Sequence, residues 1–182
     1  MAKDSKLKLS QHIFFTGFMG SGKSTHGRKL AKALNAEYVD LDVYITRKLN
    51  KTIQEIFENF GEQFFRDQET EAIKEVIAEK KEPVIISLGG GAVCFNDNIK
   101  LVKKNGLVVY LETHENVLRQ RLLRSRNKRP MLKDMNETEV LSFIKTKIKE
   151  RSKFYDQADI KINGLNLTTA VLIKALEEYY RK

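Results

Sequence analysis

The chain is expected to fold as a three-layer α/β protein around a parallel sheet, and three observations carry that expectation. Five short apolar runs are spread along the sequence, longer stretches of helical period separate them, and no repeat, low-complexity tract or Pro-rich linker breaks the alternation. Strand–helix alternation implies parallel pairing with both sheet faces covered, which places ligands at the carboxyl ends of the strands. A chain of 182 residues has the length of a single domain and can bury a core without covalent staples.

The elements follow in order. HIFFT (His12 to Thr16) reads as the first buried strand, and the segment at about 23–34, within GKSTHGRKLAKAL, as the helix after it. YVDL (38–41) is the second strand, followed by helical stretches at about 42–60 and 61–81. The latter carries the apolar stripe Phe65, Ala72, Ile73, Val76 and Ile77. PVIISL (83–88), LVVYL (107–111) and DIKI (159–162) supply the remaining strands. Helices at about 96–104, 114–126 and 137–156 separate them, and a packing helix at about 167–181 closes the chain. Phe14, Phe15, Phe60 and Phe64 read as core.

Composition narrows the function classes. With 41% hydrophobic and 31% charged residues the chain reads as soluble and globular. The single Cys94 excludes an internal disulfide and fits a reducing compartment. MAKDSKLKLS lacks the apolar centre of a signal peptide, and no run approaches the roughly 18 apolar residues of a membrane span. A cytoplasmic protein is expected. The formal net charge is +9, and much of the excess is local: seven basic and no acidic residues lie from Arg119 to Lys133. Such a cluster serves a polyanionic small molecule as readily as a nucleic acid. Cys94, His12, His26 and His114 show no metal-ligand spacing.

The most specific motif is GFMGSGKS (Gly17 to Ser24), which matches G-x-x-x-x-G-K-[ST] between a strand and a helix. Backbone N–H groups at Gly20, Ser21, Gly22, Lys23, Ser24 and Thr25 can converge on phosphate oxygens at the helix amino terminus. Lys23 would reach the β- and γ-phosphates and the Ser24 hydroxyl would ligate Mg²⁺. A nucleoside triphosphate, with ATP as the expected ligand, follows. Such loops ordinarily have an Asp at the end of a neighbouring strand, but VIISL ends in Gly89, Gly90 and Gly91. Asp40 and Asp42 in YVDLD are the comparable acids. In an extended chain their carboxylates would share one side about 6.5–7 Å apart, one supporting the metal and the other the acceptor hydroxyl. A plain helix cap is the other reading of Asp42.

Three further features bear on the acceptor. Arg151 occupies a place in the stripe Leu141, Ile144, Ile148, Arg151, Tyr155 where a hydrophobe belongs, and Arg66 with Glu69 flanks the stripe after Gly61. A guanidinium there needs a carboxylate, either from an anionic acceptor or from a helical Arg66–Glu69 pair. The triple glycine gives a substrate close access to backbone N–H groups. RQRLLRSRNKRPML, interrupted by Pro130, fits a lid over triphosphate, with Arg124 and Arg129 as the phosphate contacts. It lacks the interleaved aromatics of a single-stranded nucleic-acid site.

Taken together, GFMGSGKST, DLD, IQEIFENFGEQFFRDQE, GGGAV, RNKRPML and ERSKFYDQAD resemble the shikimate kinase family in order and spacing, from about His12 to Asp159. The resemblance implies one kinase domain over 1–182 with a five-stranded parallel sheet of order 2-3-1-4-5, of the nucleoside monophosphate kinase type. Its parts would be a phosphate loop at about 17–25, a substrate-binding region at about 42–72, a lid at about 121–134 and an adenine loop at about 162–166. It implies Mg²⁺-dependent transfer from ATP to the 3-hydroxyl of shikimate, on the route to chorismate and the aromatic amino acids. By the same resemblance Asp40 is the metal-side carboxylate and Asp42 holds the shikimate hydroxyls and acts as base. Arg66 and Arg151 grip the shikimate carboxylate, Gly89, Gly90 and Gly91 line its pocket, Phe57 and Phe65 form its apolar wall, and Glu69 orients Arg66. Arg129 reaches the phosphates and Arg124 stacks on adenine. A monomer acting on small molecules, with no nucleic-acid or membrane partner, is implied.

This chain departs from the family pattern at His26, where a small apolar residue is usual, in the absence of a proline in RSKFY, and in a short lid. Two other readings remain: a kinase of another polyol acid such as gluconate, and a non-catalytic ATP-dependent nucleic-acid-binding module supported by the +9 charge.

Overall fold

The computed structural model describes residues 7–125, 132 and 134–181. Its strands are β1 (His12–Thr16), β2 (Glu37–Asp40), β3 (Val84–Ser87), β4 (Gly106–Glu112) and β5 (Ile160–Asn163). They form one parallel sheet of order β2-β3-β1-β4-β5, the order the resemblance implies. The helices among the described residues are α1 (Lys23–Leu34), α2 (Leu41–Leu49), α3 (Ile53–Glu79), α4 (Asn98–Asn105), α5 (Glu115–Arg124), α6 (Glu137–Tyr155) and α7 (Thr169–Tyr180). A short 3-10 turn, Ala92–Cys94, follows the triple glycine.

Successive strand residues point to opposite faces, so each run feeds two cores. Phe14, Ile86 and Val108 pack on one face against Leu41, Ile45 and Ile73 from α2 and α3. Ile13, Phe15, Ile85 and Val109 pack on the other against Leu30 of α1 and Leu172 and Leu176 of α7. The adjacent phenylalanines 14 and 15 thus serve different cores. A third cluster joins Phe18 of the loop after β1 to Leu118 and Leu122 of α5 and Val140 and Ile144 of α6. These central strands are buried on both sides, which is why they read as unbroken apolar runs.

The stretch expected as one helix at about 42–60 is two. Asn50 takes a left-handed conformation (φ 49°) and its N–H closes on the Arg47 and Thr46 carbonyls, ending α2. Thr52 and Glu55 then form a reciprocal capping box that starts α3. The signal was present in TIQE, a T-x-x-E capping pattern. The boundary expected at 60/61 is a kink inside α3, where Gly61 adopts φ 81°, ψ 176°.

That backbone region is essentially closed to residues with a Cβ. Nothing lies within 4 Å of where a Gly61 Cβ would stand, so the penalty of substitution is conformational rather than steric. Gly61→Ala is expected to destabilise the protein by about 1–3 kcal/mol, read as a fall of roughly 2–4 °C in melting temperature per kcal/mol for a chain of this size. An unchanged melting temperature would show that the kink relaxes freely.

Candidate active site

The phosphate loop leaves the carboxyl end of β1 and closes at Gly22, the N-cap of α1, at φ 103°. A positive φ there turns the chain so that α1 begins directly at Lys23. Lys23 is buried, and its ammonium donates to the carbonyls of Gly17 at 2.7 Å and Phe18 at 3.1 Å. Arg121, from α5, donates through Nη1 to the carbonyls of Gly20 at 3.0 Å and Ser21 at 3.3 Å. The stretch after β5 also reaches the loop: a Cβ on Gly164 would overlap Thr113 Oγ1 and stand 3.4 Å from the Ser21 carbonyl. The expected adenine loop therefore packs beside the phosphate loop.

A cavity of about 430 Å³ opens over the loop, lined by Lys23, Ser24 and Thr25 together with Asp40, Asp42 and Gly90. Both acids line it, but not by the extended spacing expected. The strand ends at Asp40, and Leu41 and Asp42 are already helical. Asp40, not Asp42, is the N-cap: it accepts from Val43 N at 3.5 Å, accepts from the Tyr38 hydroxyl at 3.2 Å and lies 3.8 Å from Arg28. This leaves Asp42 in the first turn of α2, where it lines the cavity.

The triple glycine is explained by close approach. A Cβ on Gly89 would overlap Glu69 Oε1 and stand 3.1 Å from Asp42 Oδ1. One on Gly90 would stand 3.1 Å from Met19 N of the phosphate loop, and one on Gly91 would lie 3.2 Å from Arg66 Nη1 and 3.5 Å from Arg151 Nη2. All four charged side chains thus converge on this backbone. Arg151 donates to the Gly90 carbonyl at 3.2 Å and lies over Phe18 at 5.5 Å, and the Tyr155 hydroxyl donates to the same carbonyl. Gly89→Ala is expected to push Glu69 off Arg66 and so to lower the melting temperature; an unchanged melting temperature would show that Glu69 has room to move.

Arg66 is buried and donates to Glu69 at 2.7 Å and to Glu62 at 2.8 Å, with the Phe95 ring 4.3 Å from its guanidinium carbon. The Arg66–Glu69 pair raised by spacing alone therefore exists, and its arginine still faces Gly91. Glu69 is 1% exposed. Burial pushes its carboxyl up to about 7; Arg66 and Arg151 oppose that shift and Asp42 adds to it. A raised carboxyl contributes stability that is full below its ordinary 4.5 and is lost as pH rises through about 7. The stability advantage of the natural protein over Glu69→Gln is expected to shrink by on the order of 2 kcal/mol between pH 5 and pH 8, measured by denaturant titration. A constant gap would place the Glu69 titration outside that window.

The Phe57 and Phe65 rings pack at 4.8 Å, tilted by 41°, at the first core cluster, beside Arg66. Arg124 is exposed at the end of α5 and does not line the cavity; Arg121, one turn earlier, does. Arg129 lies outside the described residues. Arg121, Phe95 and Tyr155 are the residues that sequence reasoning left without a role, and only Tyr155 had a signal, its place in the Arg151 stripe. His12 accepts from Val84 N at 3.2 Å and His114 from Asn116 N at 3.2 Å, both structural duties. Burial raises the Cys94 thiol to about 11, which keeps it inert.

The site can therefore bring a phosphate loop, two cavity-facing carboxylates and two arginines onto one sheet edge. Comparison with known proteins agrees. The family model for shikimate kinase matches residues 19–179. A shikimate kinase of Bacteroides thetaiotaomicron is 40% identical over 152 residues, covering 84% of this chain and 86% of that protein. The crystal structure of shikimate kinase from the same organism superposes with TM-score 0.86 at 36% identity, covering 94% of this chain and 99% of that one. The enzyme from Acinetobacter baumannii, solved in complex with shikimate, gives TM-score 0.82 at 32% identity, covering 98% and 97%. With the motifs, the sheet order and these matches in agreement over nearly the whole chain, it belongs to the shikimate kinase family.

Proposed function

We propose that this chain transfers the γ-phosphoryl group of ATP to the 3-hydroxyl of shikimate, giving shikimate 3-phosphate and ADP. The observation that carries the reading is the position of Asp42, which lines the phosphate-loop cavity and stands across Gly89 from the buried Glu69–Arg66 pair. Its carboxylate thus lies between the phosphate loop and the arginine pair. An acceptor whose carboxylate is gripped by Arg66 and Arg151 would present its hydroxyls toward Asp42.

In that arrangement Asp42 orients the hydroxyl and takes its proton as the O–P bond forms. Lys23 and Arg129 neutralise charge gathering on the transferred group and the leaving β-phosphate. Glu69 positions Arg66, while Phe57 and Phe65 exclude water from the acceptor. The Ser24 hydroxyl and Asp40 carboxylate are hard oxygen donors on the ATP side of the same cavity. So sparse a protein donor set suits Mg²⁺, which retains several waters and binds through phosphates. When bound, Mg²⁺ supplies charge neutralisation on the phosphate oxygens. Arg121 fits the adenine-side role given to Arg124 by the resemblance, because it touches the loop and lines the cavity.

A kinase of gluconate and a nucleic-acid-binding module are not favoured by the family match. The basic run adjoins the phosphate cavity through Arg121, which supports a triphosphate as its target. No helix among the described residues is long and apolar enough to cross a membrane. A single-domain monomer working in the cytoplasm, without nucleic-acid partners, completes the reading. Phosphorus NMR of the product tests it: one monoester coupled to the proton at C3 is expected, and an ester on another hydroxyl would overturn the assigned geometry.

A further inference from the structure

His26 stands where the family pattern usually has a small apolar residue, and the structure gives it a place. It is the fourth residue of α1, and helical side chains lean toward the helix amino terminus, so the ring is carried back over the last loop glycine. A Cβ on Gly22 would stand 2.9 Å from His26 Cδ2, 3.3 Å from Nε2 and 3.9 Å from Arg121 Nη1. The ring edge thus shares the rim of the phosphate loop with a guanidinium already fixed to Gly20 and Ser21, and His26 lines the same cavity as Ser24 and Thr25.

The two ring nitrogens are not equivalent. Nδ1 is buried and has no hydrogen-bond partner among the described residues. A buried N–H without an acceptor is rarer in folded proteins than an unpaired acceptor. The ring proton therefore resides on Nε2, on the Gly22 side. Neutral imidazole has one donor, and burial, Lys29 and Arg121 all disfavour a second proton.

We propose that His26 is a nucleotide-binding residue of this chain, its Nε2–H donating to a non-bridging phosphate oxygen held over Gly22. This rests on the reading that the loop holds ATP. A small apolar residue at this position would offer the phosphates no hydrogen bond; this chain adds a side-chain donor there.

Isothermal titration of Mg-ADP and, separately, of shikimate into the natural protein, His26→Val and His26→Gln tests it. Gln places an amide N–H near the imidazole Nε2, whereas Val supplies none. His26→Val is expected to weaken ADP binding roughly tenfold, the scale of a hydrogen bond to a charged group, with His26→Gln within about threefold of the natural protein and shikimate binding unchanged in both. ADP binding by His26→Val as tight as the natural protein's would overturn the proposal, as would an equal loss in His26→Gln. Parallel loss of shikimate binding would mark a packing role and overturn it too. Failure of the natural protein to bind ADP would instead overturn the phosphate-loop reading itself.

Discussion

Asp42→Asn is expected to lower shikimate-dependent turnover by about 10³-fold or more while leaving the ATP dissociation constant within about twofold. Removing a general base typically costs 10²–10⁴-fold, and in the proposed reading the same carboxylate also orients the acceptor hydroxyl, so the upper part of that range applies. The amide keeps the size and shape of the side chain while removing its negative charge and its capacity to take a proton. Fold integrity is protected because Asp40 carries the cap of α2 and Asp42 does not. Loss of a negative charge in the first helical turn costs only about 0.3–1 kcal/mol. Single-turnover kinetics with saturating ATP separate the chemical step from binding. Turnover at the natural rate would remove Asp42 from the mechanism, and equal loss of ATP binding would make it part of the nucleotide site.

The second large effect is expected at the arginines. Arg151→Ala should raise the shikimate dissociation constant by roughly 10²-fold, the loss of a charge-assisted, bidentate contact, with ATP binding changed less than about threefold. Arg151 is the cleaner of the two because it is held by the Gly90 carbonyl and the Phe18 ring, with no ion pair among the described residues. Arg66→Ala removes the partner of a carboxylate that is almost wholly buried, and breaking such a pair destabilises by about 3–5 kcal/mol. Arg66→Lys is therefore the better probe: the charge stays near Glu69 while the planar fork is lost. It should weaken shikimate binding without unfolding the protein. Equal loss of both ligands in either variant would assign the arginines to structure rather than to the acceptor.

Much of this site was legible because its residues violate local patterning. Arg151 stood in an apolar stripe, three glycines ended a strand that needed one, and Asp40 and Asp42 followed a buried run. Each violation has a physical counterpart in the structure: a guanidinium turned toward backbone carbonyls, a surface with no room for a Cβ, and a cap beside a cavity-facing carboxylate. The strands were legible because burial on both faces removes polar residues from them. What escaped the sequence depends on chain direction changing within one or two residues. The turn from β2 into α2 at Leu41 separated the roles of Asp40 and Asp42, and Asn50 divided a stretch whose periodicity runs on through the break. Arg121 escaped because a basic residue among six others in a charged run has no distinguishing neighbour; only the packing of α5 on the loop singles it out. His26 was visible as a departure, but its direction follows from the lean of side chains in the first turn of α1.

The most direct test of the account is ADP release in the presence of Mg-ATP, followed by a coupled assay with shikimate, with gluconate and with no acceptor. Turnover with shikimate alone is the predicted result, since the chain belongs to the shikimate kinase family and the proposed reading seats the carboxylate and hydroxyl of that one acceptor between the arginines and Asp42. Release with gluconate alone, or at the same rate with no acceptor, would contradict it.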